Sequence, residues 1–365
     1  MNPLTFNRIE KHAESKSVIK KVEFDNFLNI RSANDTMRLA SSKPIPKMLF
    51  SELWHEGEIC ILFADTNIGK SILSVQIADS ISRGQAVRGF RLEAEQQVVL
   101  YFDFEMSIKQ FEKRYSNNYA QHYDFDNRFL RIDINSDCTS FDDFEKTLFN
   151  SIEKAIVIYN AKILIIDNLT WLKTETTESA KEALPLMKQL KELKVKHGLS
   201  LLILAHTPKR SPYNPIGIND MAGSKHLANF ADSIFAIGKS HREGSLRYIK
   251  QIKARDTDVV FDSDNVILCE ISKPYNFLGF EFTGFGRERD HLSLPSTDES
   301  DKTEMLIMEL RSAEPSISKY EIAKRLGINQ MKVKRVLDKT AELNKNTDTK
   351  TSTNTTNSTN TLEGC

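Results

Sequence analysis

The sequence predicts an α/β protein: a parallel-rich sheet covered by helices, followed by a small helix-turn-helix-like unit. Three observations point there. Short apolar runs alternate with amphipathic stretches from about residue 47 to 286, the pattern of parallel strands joined by crossover helices. The first strong run leads into a Gly-Lys-Ser loop that opens a helix. Residues 318–337 carry two short helical patterns joined at a glycine, as in two helices meeting at a tight turn.

Composition allows this and narrows the classes. A chain of 365 residues is long enough for one large domain plus a small one. With 40% hydrophobic and 27% charged residues it reads as a soluble globular protein. Lys+Arg and Asp+Glu balance at 50 each, so any basic surface must be local. Cys60, Cys138, Cys269 and Cys365 are scattered without a Cys-x-x-Cys pair, which fits a reducing compartment and argues against a disulfide framework or zinc site. The polar N-terminus lacks the apolar stretch of a signal peptide. The longest apolar runs, Ile163 to Ile166 and Leu199 to Ala205, are too short to span a bilayer. The expected location is cytoplasmic.

Taken in order, residues 1–46 form a mixed-charge arm with weak helical periodicity near Val18 to Leu28, closing on Lys43-Pro44-Ile45-Pro46. The core domain, 47–286, has strand-like runs at Ile59 to Ala64, Val98 to Phe104, Phe129 to Ile134, Ile163 to Asp167, Ser200 to His206 and Ser233 to Ile237. Two or three more strands fall between Leu246 and Thr283. Several runs are apolar almost throughout, as when helices cover both sheet faces. One helix starts near Ser140, where Ser140 and Asp143 resemble a capping box, and runs to about Ala161. Another runs from about Ser179 to His197 and stops at Gly198, a C-terminal cap position. Polar residues 287–301 read as a linker, 302–344 as the helical unit, and the Thr/Asn/Ser-rich 345–365 as a disordered tail.

Ala64-Asp65-Thr66-Asn67-Ile68-Gly69-Lys70-Ser71 is a P-loop pattern with Ala in place of its first Gly. Successive backbone N–H groups and a helix N-terminus make a concave anion site there. Gly69 allows close backbone approach, Lys70 supplies a point charge for β- and γ-phosphates, and Ser71 can ligate Mg²⁺. Ile72 closes the candidate ATP-binding set. A plain glycine-containing turn between strand and helix is the alternative.

Lys162-Ile163-Leu164-Ile165-Ile166-Asp167 is a buried strand ending in an acid. At that edge Asp167 can hold the Mg²⁺ shell, though such an acid also caps turns. Asn168 follows where many P-loop ATPases place the water-activating Glu. The run Val98 to Phe104 also ends in an acid, Glu105. It can orient the attacking water or simply favour the dipole of the helix starting near Ser107.

Tyr101-Phe102-Asp103-Phe104-Glu105-Met106-Ser107 resembles the Glu-Met-Ser segment of DnaB-type replicative helicases. The stretch from Gly223 to Ser233 resembles that family's later segment ending in Ala-Asp before a strand, and Lys253-Ala254-Arg255 resembles its Lys-x-Arg element. The motifs occur in family order over about residues 47–275. The resemblance implies a RecA-like P-loop core, ATP hydrolysis with Mg²⁺, and assembly into a homo-oligomeric ring. It puts His206 at the γ-phosphate sensor, where the DnaB pattern has Gln, and sends Lys253 and Arg255 into the neighbouring subunit's site. The large N-terminal domain of DnaB proteins has no counterpart, so the chain is more similar to plasmid RepA-type helicases and related AAA-family ATPases of bacterial mobile elements.

The long loop from Thr207 to Ala222 corresponds to one that lines the channel of such rings, making Lys209, Arg210 and Lys225 candidates for single-strand phosphate contacts. A merely flexible loop is the alternative. In the C-terminal unit Ser318 and Glu321 form a capping box, Gly327 suits the turn, and Ile322, Ala323, Leu326, Val333 and Val336 can form a core. Residues 302–345 hold ten basic and six acidic groups. The second helix can present Gln330, Lys332, Lys334 and Arg335 to duplex DNA, or the unit can dock a protein. The expected function is a DNA-acting, ring-forming helicase or helicase-like factor of a plasmid, phage or integrated element. The alternative is a regulatory or recombination-associated ATPase that binds DNA without unwinding it.

Overall fold

The computed structural model describes residues 28–135, 144–168, 180–207, 210–221, 224–293 and 297–338. The chain divides into two units, Met1–Lys47 and Met48–Cys365. Val18 to Phe27, Ser140 with Asp143, and the tail 345–365 lie outside the described residues.

In the first unit a helix not expected from the pattern, α1 (Ala33–Ser41), starts where the Ser32 hydroxyl accepts a hydrogen bond from the Asp35 N–H, and none of its residues is buried. Its cue is local: a Ser followed three residues later by an acid.

The second unit contains β1 (Met48–Phe50), β2 (Trp54–His55), β3 (Ile59–Ala64), α2 (Lys70–Arg83), β4 (Val99–Asp103), α3 (Ile108–Arg114), β5 (Ser116–Asn117), β6 (Gln121–His122) and β7 (Phe129–Ile132). Then come α4 (Phe144–Tyr159), β8 (Ile163–Asp167), α5 (Ala180–His197), β9 (Ser200–His206), α6 (Ser224–Phe230), β10 (Ser233–Lys239), β11 (Leu246–Lys253), β12 (Val266–Ser272) and β13 (Gly279–Gly286). Among the described residues nine strands form one sheet in the order β13-β12-β11-β10-β3-β9-β8-β4-β7. From β10 to β7 every pairing is parallel; β10 to β13 pair antiparallel.

Alternation along each strand divides the core between two faces. Cys60, Leu62 and Ala64 of β3 join Leu73, Ile77 and Ile81 of α2 on one face. Ile59, Ile61 and Phe63 join Ile152 and Ile156 of α4 and Leu186, Met187 and Leu190 of α5 on the other. Both faces being covered explains why the central strands read as unbroken apolar runs. The α5 helix stops at Gly198, whose φ is +64°, a conformation that glycine adopts without a Cβ penalty. No helix among the described residues is long and apolar enough to cross a membrane.

The stretch 287–301 is not a plain linker. Residues Glu288–His291 form a 3₁₀ turn, and Glu288 is fully buried. Its carboxylate accepts hydrogen bonds from Lys250 Nζ at 2.6 Å, the Ser263 hydroxyl at 2.9 Å and the Ile216 N–H at 2.6 Å. His291 Nδ1 lies 3.1 Å from the Ser240 hydroxyl. A polar segment is thus tied to the sheet by an internal ion pair, and α7 (Thr297–Ala313) already begins within the expected linker.

The C-terminal unit holds α7, α8 (Lys319–Leu326) and α9, spanning 330–338. Ile307, Ile317, Ile322, Ala323, Val333 and Val336 form its core. Ser318 caps α8 by accepting from the Glu321 N–H at 3.1 Å, and Gly327 turns the chain at φ +63°. Gln330, Lys332, Lys334 and Arg335 are exposed on α9.

Glu288→Ala should strand the Lys250 ammonium inside the protein and lower the unfolding free energy by about 3–5 kcal/mol. Urea denaturation measures this; a loss under about 1 kcal/mol would show that the buried pair does not anchor the turn.

Candidate functional site

Parallel pairing brings the carboxyl ends of β3, β9, β8 and β4 to one edge, where ligands bind in sheets of this kind. Ala64 lies opposite His206, and Asp103 opposite Asp167. A cavity of about 700 Å³ opens there, lined by Thr66, Asn67, Gly69, Lys70, Ser71 and Ile72 of the P-loop segment and by Glu105 and His206 across from it. Ala64 and Ile68 are turned into the core instead.

The P-loop owes its shape to particular residues. Gly69 has φ +116°, and a Cβ there would sit 2.9 Å from Ile271 Cδ1 and Phe280 Cζ, so only glycine fits. Arg247, which the sequence did not single out, donates from Nε to the Ile68 carbonyl at 3.0 Å and fixes the loop from β11. Lys70 is buried, its Nζ donating to the carbonyls of Ala64 at 2.7 Å and Asp65 at 3.2 Å. Burial lowers its pKa, while Asp167, Glu105 and Asp65 favour its charge.

Asp167 is buried, 1% exposed. Tyr101 donates to its Oδ2 at 2.7 Å, the Tyr101 and Ser74 hydroxyls lie 3.1 Å apart, and Ser71 also hydrogen-bonds to the carboxylate. Burial pushes the carboxyl up to about 6, with Glu105 and Asp103 adding to the shift and Ser71 and Tyr101 opposing it. Ser71 and Asp167 side by side are two hard oxygens. They suit a Mg²⁺ ion that takes its remaining ligands from phosphates and water. Among the described residues no cluster of three or more His, Cys, Asp or Glu offers a self-sufficient metal site.

Glu105 sits just beyond β4, its side chain 36% exposed. Its Oε1 accepts a hydrogen bond from Asn168 Nδ2 and lies 3.3 Å from His206 Nε2, while Asn168 Nδ2 is 2.7 Å from the same ring nitrogen. His206 is the first cause of the lowered pKa of Glu105, and Lys70 and Arg114 also favour the charged form. The turn carrying Glu105 is held by Asp103, whose Oδ1 accepts from the N–H groups of Glu105 at 3.2 Å and Met106 at 2.9 Å. Arg131 closes the arrangement, donating to Asp103 Oδ2 at 2.9 Å and to the Met106 carbonyl at 2.6 Å. Lys113, Arg114 and Lys273 also line the cavity.

Several sequence candidates fall elsewhere. Lys253 pairs with Ile234, near the start of β10, so it lies at the sheet edge away from the P-loop. Its Nζ donates to the carbonyls of Ala228 and Ala231, each at 2.7 Å, and Arg255 Nη1 to Asp232 Oδ1 at 2.7 Å. Neither reaches the chain's own cavity, because the antiparallel turn into β11 reverses direction. Arg210 does not face solvent as a nucleic-acid contact would: its side chain is 10% exposed and lies against Asp65. Lys209 and the side chain of Lys225 lie outside the described residues. Asn168, Asp103, Tyr101, Arg131, Arg114 and Arg247 were missed. Tyr101 and Asp103, within the segment that ends in Glu-Met-Ser, and Asn168, beside the strand-ending acid, carried a local cue.

Comparison with known proteins gives three findings. A family model described as an AAA domain matches residues 28–212. A KaiC-like protein from the hyperthermophilic archaeon Pyrococcus horikoshii matches with a TM-score of 0.43 and 15% identity, over 62% of this chain and 90% of that one. No curated protein matches the chain in sequence.

The raised pKa of Asp167 has a signed consequence. The fold favours the protonated carboxyl, so this group's contribution is full below the ordinary pKa of 3.8 and is lost as pH rises through about 6. The nucleotide-free protein should lose of order 2–3 kcal/mol from this group between about pH 4 and about pH 7.5, and Asp167→Asn should lack that component. Urea unfolding at both pH values compares them; identical pH dependence in the two proteins would contradict the assignment.

Proposed function

The chain belongs to the AAA-domain family of RecA-like P-loop ATPases, and on that premise we propose that it hydrolyses ATP with Mg²⁺ in the cavity at the carboxyl edge of its sheet. The observation that carries this is the Glu105 carboxylate, which shares one cavity with Lys70 and Ser71 and is oriented by Asn168 and His206. Ser71 and Asp167 would hold Mg²⁺, which would supply positive charge to offset that of the phosphates. Lys70 exchanges its two carbonyl acceptors for β- and γ-phosphate oxygens. Glu105, half-exposed and ionised, orients a water in line with the γ-phosphate. His206 and Arg114 line the same cavity; in this proposal His206 contacts the γ-phosphate and Arg114 supplies a further cation to the nucleotide.

The finer proposal is that hydrolysis drives action on DNA, as a ring-forming helicase or helicase-like factor of a mobile element. The motif order shared with DnaB-type and RepA-type proteins supports it, as do the exposed Gln330, Lys332, Lys334 and Arg335 on one short helix. In this proposal Lys253 and Arg255 serve the neighbouring subunit's site from the opposite edge of the sheet, which their distance from their own P-loop permits. One observation favours the second reading, a DNA-binding ATP switch without unwinding: both cations are already engaged by carbonyls and by Asp232 of their own chain.

Glu105→Gln keeps the shape of the side chain and removes its charge. ATP binding should persist while turnover falls by roughly two or more orders of magnitude; near-normal turnover places the water-orienting group elsewhere. A forked duplex separates the two DNA readings. Strand separation that needs ATP and is lost in Arg255→Ala is the expected result. ATP-dependent DNA binding with no strand separation would support the switch.

A further inference from the structure

Arg210 opens the loop after β9, yet it points back over the P-loop. Its Nε lies 3.4 Å from Asp65 Oδ2. Its Nη1 donates to the Asn214 carbonyl at 3.0 Å and approaches that of Ser211 at 3.5 Å. The segment that carries it is fixed downstream: the Ile216 N–H donates to Glu288, and the Ile216 carbonyl accepts from Lys250 at 2.7 Å. Its side chain is only 10% exposed, so the guanidinium is held against the P-loop residue Asp65 instead of extending into solvent.

Asp65 is the second residue of the P-loop, and its own carbonyl accepts from Lys70 Nζ. The guanidinium on its carboxylate is therefore about one residue away from the phosphate-binding ammonium. An acid in a cradle for a highly charged anion opposes binding at this range. The γ-phosphate offers a guanidinium a more highly charged, bidentate acceptor than a half-exposed carboxylate does.

We propose that Arg210 is a second γ-phosphate-binding cation of the site, supplied by the same chain, for which the Asp65 carboxylate competes. The proposal rests on the ATPase reading and adds a device that tells ATP from ADP. ADP lacks the phosphate that draws Arg210 from Asp65, so Asp65 keeps it. With ATP the guanidinium transfers to the γ-phosphate and adds to the charge of Lys70.

The test is equilibrium binding of a non-hydrolysable ATP analogue and of ADP, both with Mg²⁺, to the full chain. Arg210→Ala should weaken the ATP analogue by about tenfold or more, the scale of one charge-assisted hydrogen bond, and move ADP by less than about twofold. Asp65→Asn removes the competitor with little change of shape. It should tighten the ATP analogue several-fold, leave ADP alone, and lose its effect in the Asp65→Asn, Arg210→Ala double variant. Parallel shifts for both nucleotides, or none for either, would overturn the proposal. If Arg210→Ala fails to fold by circular dichroism, the Asp65→Asn comparison decides alone. Failure of the unmodified protein to bind either nucleotide would instead remove the ATPase reading, and the proposal with it.

Discussion

Everything at the site depends on parallel strands pairing in register. Hydrogen bonding between β3, β9, β8 and β4 sets Ala64 beside His206 and Asp103 beside Asp167. A slip of one residue in any pair would turn its apolar side chains to the wrong face. Register is therefore enforced by two hydrophobic cores, one on each face, and not by the polar groups that use it. The chemistry occupies positions that burial has already fixed.

The site then has to solve a charge problem. Asp65, Glu105 and Asp167 act on one lysine, Asp103 lies beside Asp167, and each acid is managed differently. Asp103 is neutralised by Arg131 and two backbone N–H groups. Glu105 stays charged beside His206 and Asn168. Burial drives Asp167 toward its neutral form, with hydroxyl donors opposing that drift. Asp65 meets Arg210. Of the four, only Glu105 and Asp65 are left partly open to solvent.

What could be read from the sequence follows from how local each signal is. The runs Ile163–Asp167 and Ser200–His206 coincide with strands end for end, because apolar runs bounded by charge are unambiguous when both faces are buried. Ile59–Ala64 does so too, while the ends of the strands at Val99–Asp103, Phe129–Ile132 and Ser233–Lys239 differ from the apolar runs by one or two residues. Helix α1 is short and buries none of its described residues, so the sequence signals it only through its Ser32 cap. In the site, Lys70, Ser71, Asp167, Glu105 and His206 were legible as loop or strand-end residues, and the fold brings them together. Tyr101, Arg131, Arg114 and Arg247 were not. Tyr101 meets Asp167 across 66 positions and Arg131 meets Asp103 across 28, with no periodicity to announce either contact. Arg210 was misplaced for a related reason: a charged residue in a long loop is ordinarily solvated, and nothing nearby reveals that Asp65 waits for it.

Glu288 shows the same lesson at a domain border, and it bears on how this chain can be divided. Composition suggests a cut after residue 286, where the polar stretch begins. Such a cut would leave Lys250 and the backbone of Ile216 without the carboxylate that satisfies them. The segment that looks like a tether is the last structural piece of the ATPase core, up to Ser293, whose N–H still bonds to the Pro212 carbonyl at 3.1 Å. Recombination that exchanges the C-terminal unit for another must therefore splice beyond Ser293. The border set by hydrogen bonding thus lies at Ser293 or later, past the change in composition at 286.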